Sequence, residues 1–270
     1  MESFVITRKK MSELLMSLQP ADNIVSEQSR TPQAILQEGW EEFKQQLIGL
    51  DTTASPLLPA ALPPIYEKLM RGRSHKEGLS LNEIAALGNQ VEYSNFSITS
   101  IQNWVKRDIK DFIGSPRLGK KYSLQQAALI LIVEDLRATL HFDAIRSLLA
   151  LLFMNPEHDE DDVIHPLDFY ASYAALYEEL DRNNDQVLDV HGHDPLRLRH
   201  DHMLEMIISK KADDYLSNLD PQRRCHCHHH LIRNALVIAI TSVQTTYFQY
   251  VSKKYMNATL LSCQNIRKNE

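Results

Sequence analysis

The sequence predicts an all-α protein that carries one small β-wing, and three observations support this fold class. The 270 residues contain only eight glycines, fewer than the tight turns of a strand-rich fold require. Leu, Ala, Gln and Glu, which favour helices, are abundant. Apolar residues recur at steps of three and four along several segments, and capping signals precede many of these segments.

Residues 1–63 are predicted to form a helical arm followed by a linker. Apolar positions indicate a short helix at 12–18 and a longer one at 32–48, for which Thr31 and Pro32 supply the cap and the first turn. Four prolines lie between residues 52 and 64, and a segment so rich in proline is typical of a linker between domains. We therefore expect a second domain to begin at residue 64.

Two capping boxes organise this second domain, residues 64–153. Ser80 is followed three residues later by Glu83, and Ser123 by Gln126, a pattern in which each side chain bonds the backbone of the other residue at a helix start. The boxes predict helices at 81–87 and 124–137, and apolar spacing predicts two more at 98–109 and 143–153. Gly88 suits the turn that ends the first of these helices.

The predicted helix at 98–109 has an apolar side and a polar side. The apolar side, which must pack against neighbouring helices, consists of Ile98, Ile101, Val105 and Ile109, and Trp104 at its margin is expected to pack as well. Amides and arginine can form paired hydrogen bonds with base edges, whereas hydroxyls and lysines can bind phosphates. The outward side carries groups of these kinds at Ser100, Gln102, Asn103, Lys106 and Arg107.

A basic hairpin is predicted directly after this helix, at residues 112–122. Two glycines and a proline indicate a tight reversal between two short strands. The tip and the return strand carry Arg117, Lys120 and Lys121, which suit contacts with a phosphate backbone. Residues 98–121 contain six basic and two acidic residues, whereas the whole chain has a net charge of -6, so positive charge is concentrated here.

Three strings in this region resemble a MerR-type winged helix-turn-helix domain: residues 100–106 (SIQNWVK), 116–123 (PRLGKKYS) and 140–149 (LHFDAIRSLL). More narrowly, residues 63–153 are similar to a bacterial domain-of-unknown-function family that has this MerR-like head. The resemblance implies that 98–109 is a recognition helix, that 112–122 is a wing and that the partner is double-stranded DNA. Gln102 and Asn103 stand where MerR-type proteins have Arg-Tyr, and residues 89–97 lengthen a turn that is short in those proteins.

Residues 154–270 are predicted to form a C-terminal helical bundle that serves as an effector or dimerisation region. An acidic loop precedes helices at 167–182, 195–217 and 221–258, and the last two begin with Asp-Pro pairs, which are good helix starts. Four polar residues interrupt the apolar stretch 231–251, so it predicts a buried helix or a dimer interface and no membrane span.

These features together predict a homodimeric DNA-binding transcription regulator that uses no cofactor and responds to an effector of unknown identity. Three cysteines are too few and too uneven for a disulfide framework, and no signal peptide is visible, so we expect a cytoplasmic protein. The sequence contains no G-x-S-x-G, H-E-x-x-H, P-loop or Gly-rich dinucleotide motif, so we do not expect an enzyme.

Two alternatives remain open from the sequence. A winged-helix scaffold can serve as a protein-interaction adaptor without DNA, its basic patch docking an acidic partner such as the chain's own segment 155–200. A metal-sensing regulator would use the cluster at 225–230, where Cys225 and His229, and also His226 and His230, are four residues apart and can share a helix face. Six consecutive His and Cys residues cannot all face one ion, and no second motif of standard spacing accompanies them, so we predict no metal.

Overall fold

The protein is predominantly helical in the parts of the chain that the structure describes. The structure, a computed structural model, describes residues 4–19, 30–49, 62–71, 78–153, 161–181, 200–218 and 226–268. The helices in chain order are α1 (Arg8–Ser17), α2 (Pro32–Gly49), α3 (Pro64–Arg71), α4 (Leu81–Gly88), α5 (Ile98–Asn103), a π-helical turn (Trp104–Asp108), α6 (Lys110–Ile113), α7 (Leu124–Leu136), α8 (Phe142–Leu152), α9 (Pro166–Leu180), α10 (His200–Asn218) and α11 (His226–Lys268).

Most of the predicted helices are confirmed, with shifted ends. The sequence did not predict α3, and α11 continues to Lys268, ten residues beyond the expected end. Residues 52–61 of the predicted linker (52–64) and residues 158–160 of the predicted acidic loop (158–162) lie outside the described residues. No helix in the described ranges combines the length and apolarity that a bilayer span needs.

Both predicted capping boxes form. The backbone amide of Glu83 donates to Ser80 Oγ at 3.3 Å, and the amide of Ser80 donates to the Glu83 carboxylate at 2.7 Å. At the second box, the amide of Gln126 donates to Ser123 Oγ at 3.2 Å and the amide of Ser123 donates to Gln126 Oε1 at 2.9 Å. These bonds satisfy amides that the first turn of a helix leaves without partners, which explains why α4 and α7 begin where they do.

Helix α7 lies at the centre of the core. Ten of its thirteen residues are buried, on all sides of the helix, as expected of a helix that is enclosed by others. It packs against α9 and α11, and α1 packs against α9. The buried apolar residues of the described segments, from Phe4 to Val243, form one continuous cluster.

The N-terminal helix is joined to α7 by a buried ion pair. Arg8 Nη2 lies 2.8 Å from Asp135 Oδ1, Arg8 Nε lies 3.0 and 3.1 Å from the two carboxylate oxygens, and both side chains are 5% exposed. Tyr173 of α9 donates to Asp135 Oδ2 at 2.8 Å, and Arg8 Nη1 donates to the carbonyl of Glu92 at 3.3 Å. Burial alone would lower the pKa of Arg8, but the attraction of Asp135 raises it. Arg8 therefore stays charged and holds the carboxylate in place.

The predicted two-stranded wing is not confirmed, because the described residues contain no strand and only isolated β-bridges. Leu118 and Lys121 exchange backbone hydrogen bonds of 3.0 and 3.1 Å around a two-residue turn. Leu79, just before α4, and Tyr122 exchange bonds of 2.8 and 2.7 Å. The basic hairpin therefore returns alongside the start of α4, although each pairing is a single residue long.

Local chemistry explains why no strands form. Residues 110–113, the expected approach to the incoming strand, coil into α6, and Gly114 then reverses the chain at a φ of +68°. Pro116 has no amide to donate to a ladder. At Gly78 (φ +68°) an added Cβ would lie 2.4 Å from the carbonyl oxygen of Tyr122, so the close approach at the second bridge requires glycine.

The predicted regular helix at 98–109 is also corrected. It runs as α5 only to Asn103 and then widens into the π-helical turn, in which the amide of Ile109 bonds the carbonyl of Trp104 at 2.9 Å. The reason is the apolar pattern: in a regular helix Asp108 would follow Ile101 and Trp104 on the buried side. One extra residue in the turn brings Ile109 there instead, and Ile109 is 1% exposed.

Candidate nucleic-acid interface

The polar residues predicted on α5 and the π-helical turn lie at the surface. Gln102, Asn103, Lys106 and Arg107 are exposed, whereas Ser100 is half-buried. The apolar side packs inward as expected, and Trp104 is 3% exposed. Four amide and basic side chains thus share a solvent-facing stretch of six residues.

The connection before α5 is held by one side chain. Asn89, which ends α4, donates from Nδ2 to the carbonyl of Phe96 at 3.0 Å and accepts from the amide of Phe96 at 2.8 Å. The Phe96 ring packs directly on Gly88, where an added Cβ would lie 2.4 Å from the ring. This long connection therefore has a defined conformation, and it sets the position of α5 relative to α4.

The π-helical turn is braced from α7 and α8. The Arg137 guanidinium lies over the Trp104 ring, 4.8 Å from its centroid, and the Phe142 ring lies 6.1 Å from that ring. Arg146 Nη1 donates to the carbonyl of Asp108 at 2.8 Å, where the turn ends. These contacts fix the backbone that carries the exposed side chains of Gln102, Asn103, Lys106 and Arg107.

The basic hairpin presents its charges at the surface. Arg117 and Lys120 are exposed and Lys121 is half-buried. Arg117 Nη1 donates to Gln125 Oε1 at 3.0 Å. Lys110 of α6 is also exposed between the helix and the hairpin, and it is a basic residue that the prediction of contacts omitted.

Gln126 anchors the hairpin, a role that the capping-box pattern did not indicate. Its Nε2 donates to the carbonyls of Ile113 and Ser115 at 2.6 and 2.8 Å, and its Oε1 accepts from the amide of Arg117 at 3.4 Å in addition to that of Ser123. Because Gln126 is 1% exposed, these backbone groups have a fixed partner inside the protein. The hairpin is thereby attached to α7.

Lys68 of α3 forms an ion pair with Glu83 of α4. Burial alone would raise the pKa of Glu83, but the Lys68 ammonium and the hydrogen bonds from Ser80 lower it to about 2. Glu83 is therefore ionised at all physiological pH values, and its charge lies at the N-terminus of α4, where a negative charge is favourable.

The Cys and His cluster is described only in part. Cys225 and the side chains of His226 and Cys227 lie outside the described residues. His229 Nδ1 lies 4.0 Å from Asp213 Oδ1. Among the described residues, no group of three or more His, Cys, Asp or Glu side chains is placed to hold a metal ion. The metal-sensing alternative stays a prediction.

In comparison with known proteins, the whole candidate interface lies within one segment that matches a family model. Residues 76–173 match the family described as Domain of unknown function (DUF1836). The match includes all eight predicted contact residues as well as Gln126, Asp135 and Tyr173, and it agrees with the expected similarity to a domain-of-unknown-function family.

One curated relative is similar to this chain over part of its length. The chain is 46% identical over 120 residues to "Uncharacterized protein YkrK" of Bacillus subtilis (strain 168). The aligned part covers 44% of this chain and 52% of the relative, so the chain spans about half the length of that protein. No solved structure matches the chain.

Proposed function

We propose that the protein is a DNA-binding transcription regulator with a MerR-like winged helix-turn-helix domain. In this proposal α5 and the π-helical turn enter the major groove, and the basic hairpin contacts the flanking phosphates. The observation that carries it is the exposed set of amide and basic side chains at residues 102–107, held on a braced backbone. A function of this kind places the protein in the cytoplasm and requires no catalytic residue.

Two further features support the proposal. The Leu79–Tyr122 bridge ties the return of the basic hairpin to the start of α4, so hairpin and helix-turn-helix share one framework. Lys110, Arg117 and Lys120 add exposed positive charge after the helix, and such charge binds phosphates regardless of base sequence. Gln102 and Asn103 carry the amide groups suited to adenine edges.

We also propose that the regulator is a homodimer that pairs through α11. Beyond Tyr247 this helix exposes large apolar side chains: Phe248, Tyr250, Tyr255, Met256 and Leu260 are 51%, 42%, 70%, 58% and 49% exposed. Phe248, Tyr255 and Met256 lie on one side of the helix, at spacings of seven and eight residues. The double variant Tyr255→Lys with Met256→Lys should therefore be a monomer in light scattering. If its molar mass is still that of a dimer, this segment is not the interface.

Gel-shift titration on genomic DNA fragments tests DNA binding. Lys120→Glu with Lys121→Glu should weaken binding and lower the slope of log K against log salt by about 2, since each neutralised phosphate contributes about 0.9. Lys210→Glu with Lys211→Glu is a matched control: these adjacent lysines of α10 are likewise one exposed and one half-buried. Gln102→Ala should relax base preference with little effect on the salt slope.

The outcomes separate the candidate functions. Equal binding and an equal salt slope for both double variants would show that the hairpin does not contact DNA. No binding to any fragment, together with a stable protein partner in a pull-down, would favour the adaptor alternative.

A further inference from the structure

A cleft of about 830 Å³ lies beside the candidate interface. It is bounded by the connection 89–95, by Ser97 and Ser100 of α5, by the C-terminal end of α7 and by α11. Cavities of roughly 300–1,000 Å³ are of the size that holds small-molecule ligands. The cleft therefore has room for a ligand between the helix-turn-helix and the long C-terminal helix.

Aromatic rings form one wall of the cleft. Tyr93 packs against Tyr247 and Tyr250, with ring centroids 5.1 and 4.8 Å apart, and both Tyr93 and Tyr250 line the cavity. Tyr93 adopts a φ of +60°, which a bulky side chain rarely does, so packing against α11 holds it there. The faces of aromatic rings attract cations, most strongly where water is partly excluded.

The charges of the opposite wall are mostly paired. Arg137 Nη1 donates to Glu134 Oε2 at 2.7 Å while its guanidinium covers Trp104, and Lys253 also attracts Glu134. Arg137 is therefore already bound to a carboxylate and a ring. This pairing disfavours an anionic ligand.

Glu92 is the exception among the lining charges. Within the described residues its carboxylate has no hydrogen bond and no ion pair, although it lies near Arg8, whose guanidinium is bound to Asp135. The pKa of Glu92 is raised to about 7, mainly by burial. The carboxylates of Asp181, Glu178 and Glu42 raise this pKa further, and Arg8 lowers it. Glu178 pairs with Lys9 and Glu42 with Lys10, whereas Glu92, which lines the cavity, has no paired cation among the described residues.

We propose that this cleft binds a small organic cation, whose ammonium or quaternary ammonium group lies against the Glu92 carboxylate and the rings of Tyr93 and Tyr250. The cation supplies the counter-charge that Glu92 lacks, and the tyrosines contribute attraction that an alkali metal ion would use less well. The inference concerns binding alone and is independent of whether the chain binds DNA.

Isothermal titration at pH 8 tests it with three probes: methylammonium, tetramethylammonium and choline chlorides, with sodium chloride as the control. At least one probe should bind saturably by about 10 mM, a concentration at which a Kd of about 1 mM gives near saturation. Glu92→Gln should weaken that probe's binding by about tenfold or more. Asp214→Asn, an exposed carboxylate on α10, is the matched control and should leave binding unchanged.

Two further measurements keep the test decisive if Glu92→Gln folds poorly. Tyr250→Leu, at a ring that is 42% exposed, should weaken binding without unfolding the protein. In the unaltered protein, affinity should rise about tenfold from pH 6 to pH 8 as Glu92 ionises. The proposal is overturned if no probe binds saturably. It is also overturned if Glu92→Gln and Tyr250→Leu both bind the probe as tightly as the unaltered protein.

Discussion

Replacing Arg8 by methionine should destabilise the protein far more than a surface substitution does. The change removes three hydrogen bonds to Asp135 and leaves that carboxylate, 5% exposed, with the Tyr173 hydroxyl as its one donor among the described residues. Breaking a buried ion pair by removing one partner costs about 3–5 kcal/mol, because the remaining charge is buried without compensation. In a chain of this size that corresponds to a fall in Tm on the order of 10 °C.

Urea unfolding followed by circular dichroism measures this loss. Lys9→Met is the matched control, since Lys9 pairs with Glu178 at the surface with both side chains about two-fifths exposed, and such pairs contribute about 0–1 kcal/mol. Adding Asp135→Asn to Arg8→Met should recover much of the loss by removing the orphaned charge. The reasoning is refuted if Arg8→Met costs no more than Lys9→Met, or if Asp135→Asn makes the Arg8 variant worse.

Three further perturbations follow from the site. Because the pKa of Glu92 rises from 4.5 to about 7 on folding, its stabilising effect is greatest below pH 4.5 and is lost as pH rises through 7. Between pH 5 and 7, ionisation of Glu92 should lower the unfolding free energy by up to about 1.4 kcal/mol per pH unit. Glu92→Gln should abolish this part of the decline, as measured by urea titration. Gln126→Leu should cost roughly 3 kcal/mol and speed amide exchange in the basic hairpin, whereas Gln125→Leu should do so much less. Gly88→Ala should lower stability by about 1–3 kcal/mol in thermal unfolding, since its methyl group would overlap the Phe96 ring; unchanged stability would mean that the ring can move aside.

Local signals in the sequence were sufficient to predict α4 and α7. Each begins at a capping box, which acts over three residues, so no knowledge of the tertiary structure was needed. The outward positions of residues 102, 103, 106 and 107 also followed from apolar spacing alone. What these exposed residues bind is a separate question that spacing does not address.

Features that depend on distant residues were not predictable in the same way. Arg8 and Asp135 are 127 positions apart, and nothing in either neighbourhood marks them as partners. The second bridge of the basic hairpin uses Leu79, from before α4, so a search for two adjacent strands missed it. The cleft brings Glu92 together with Tyr250 of α11, two residues that are far apart in the sequence.

The π-helical turn at Trp104–Asp108 is equivalent to a regular helix that has gained one residue. Deleting one residue from this stretch would convert it into a regular helical turn and leave the residues that follow it in place. Homologous chains that differ by such a single-codon gap would present other side chains to solvent from an otherwise unchanged framework. Insertion or deletion of one residue here would therefore allow relatives to differ in what they recognise. Alignments of such relatives should show the gap within this turn.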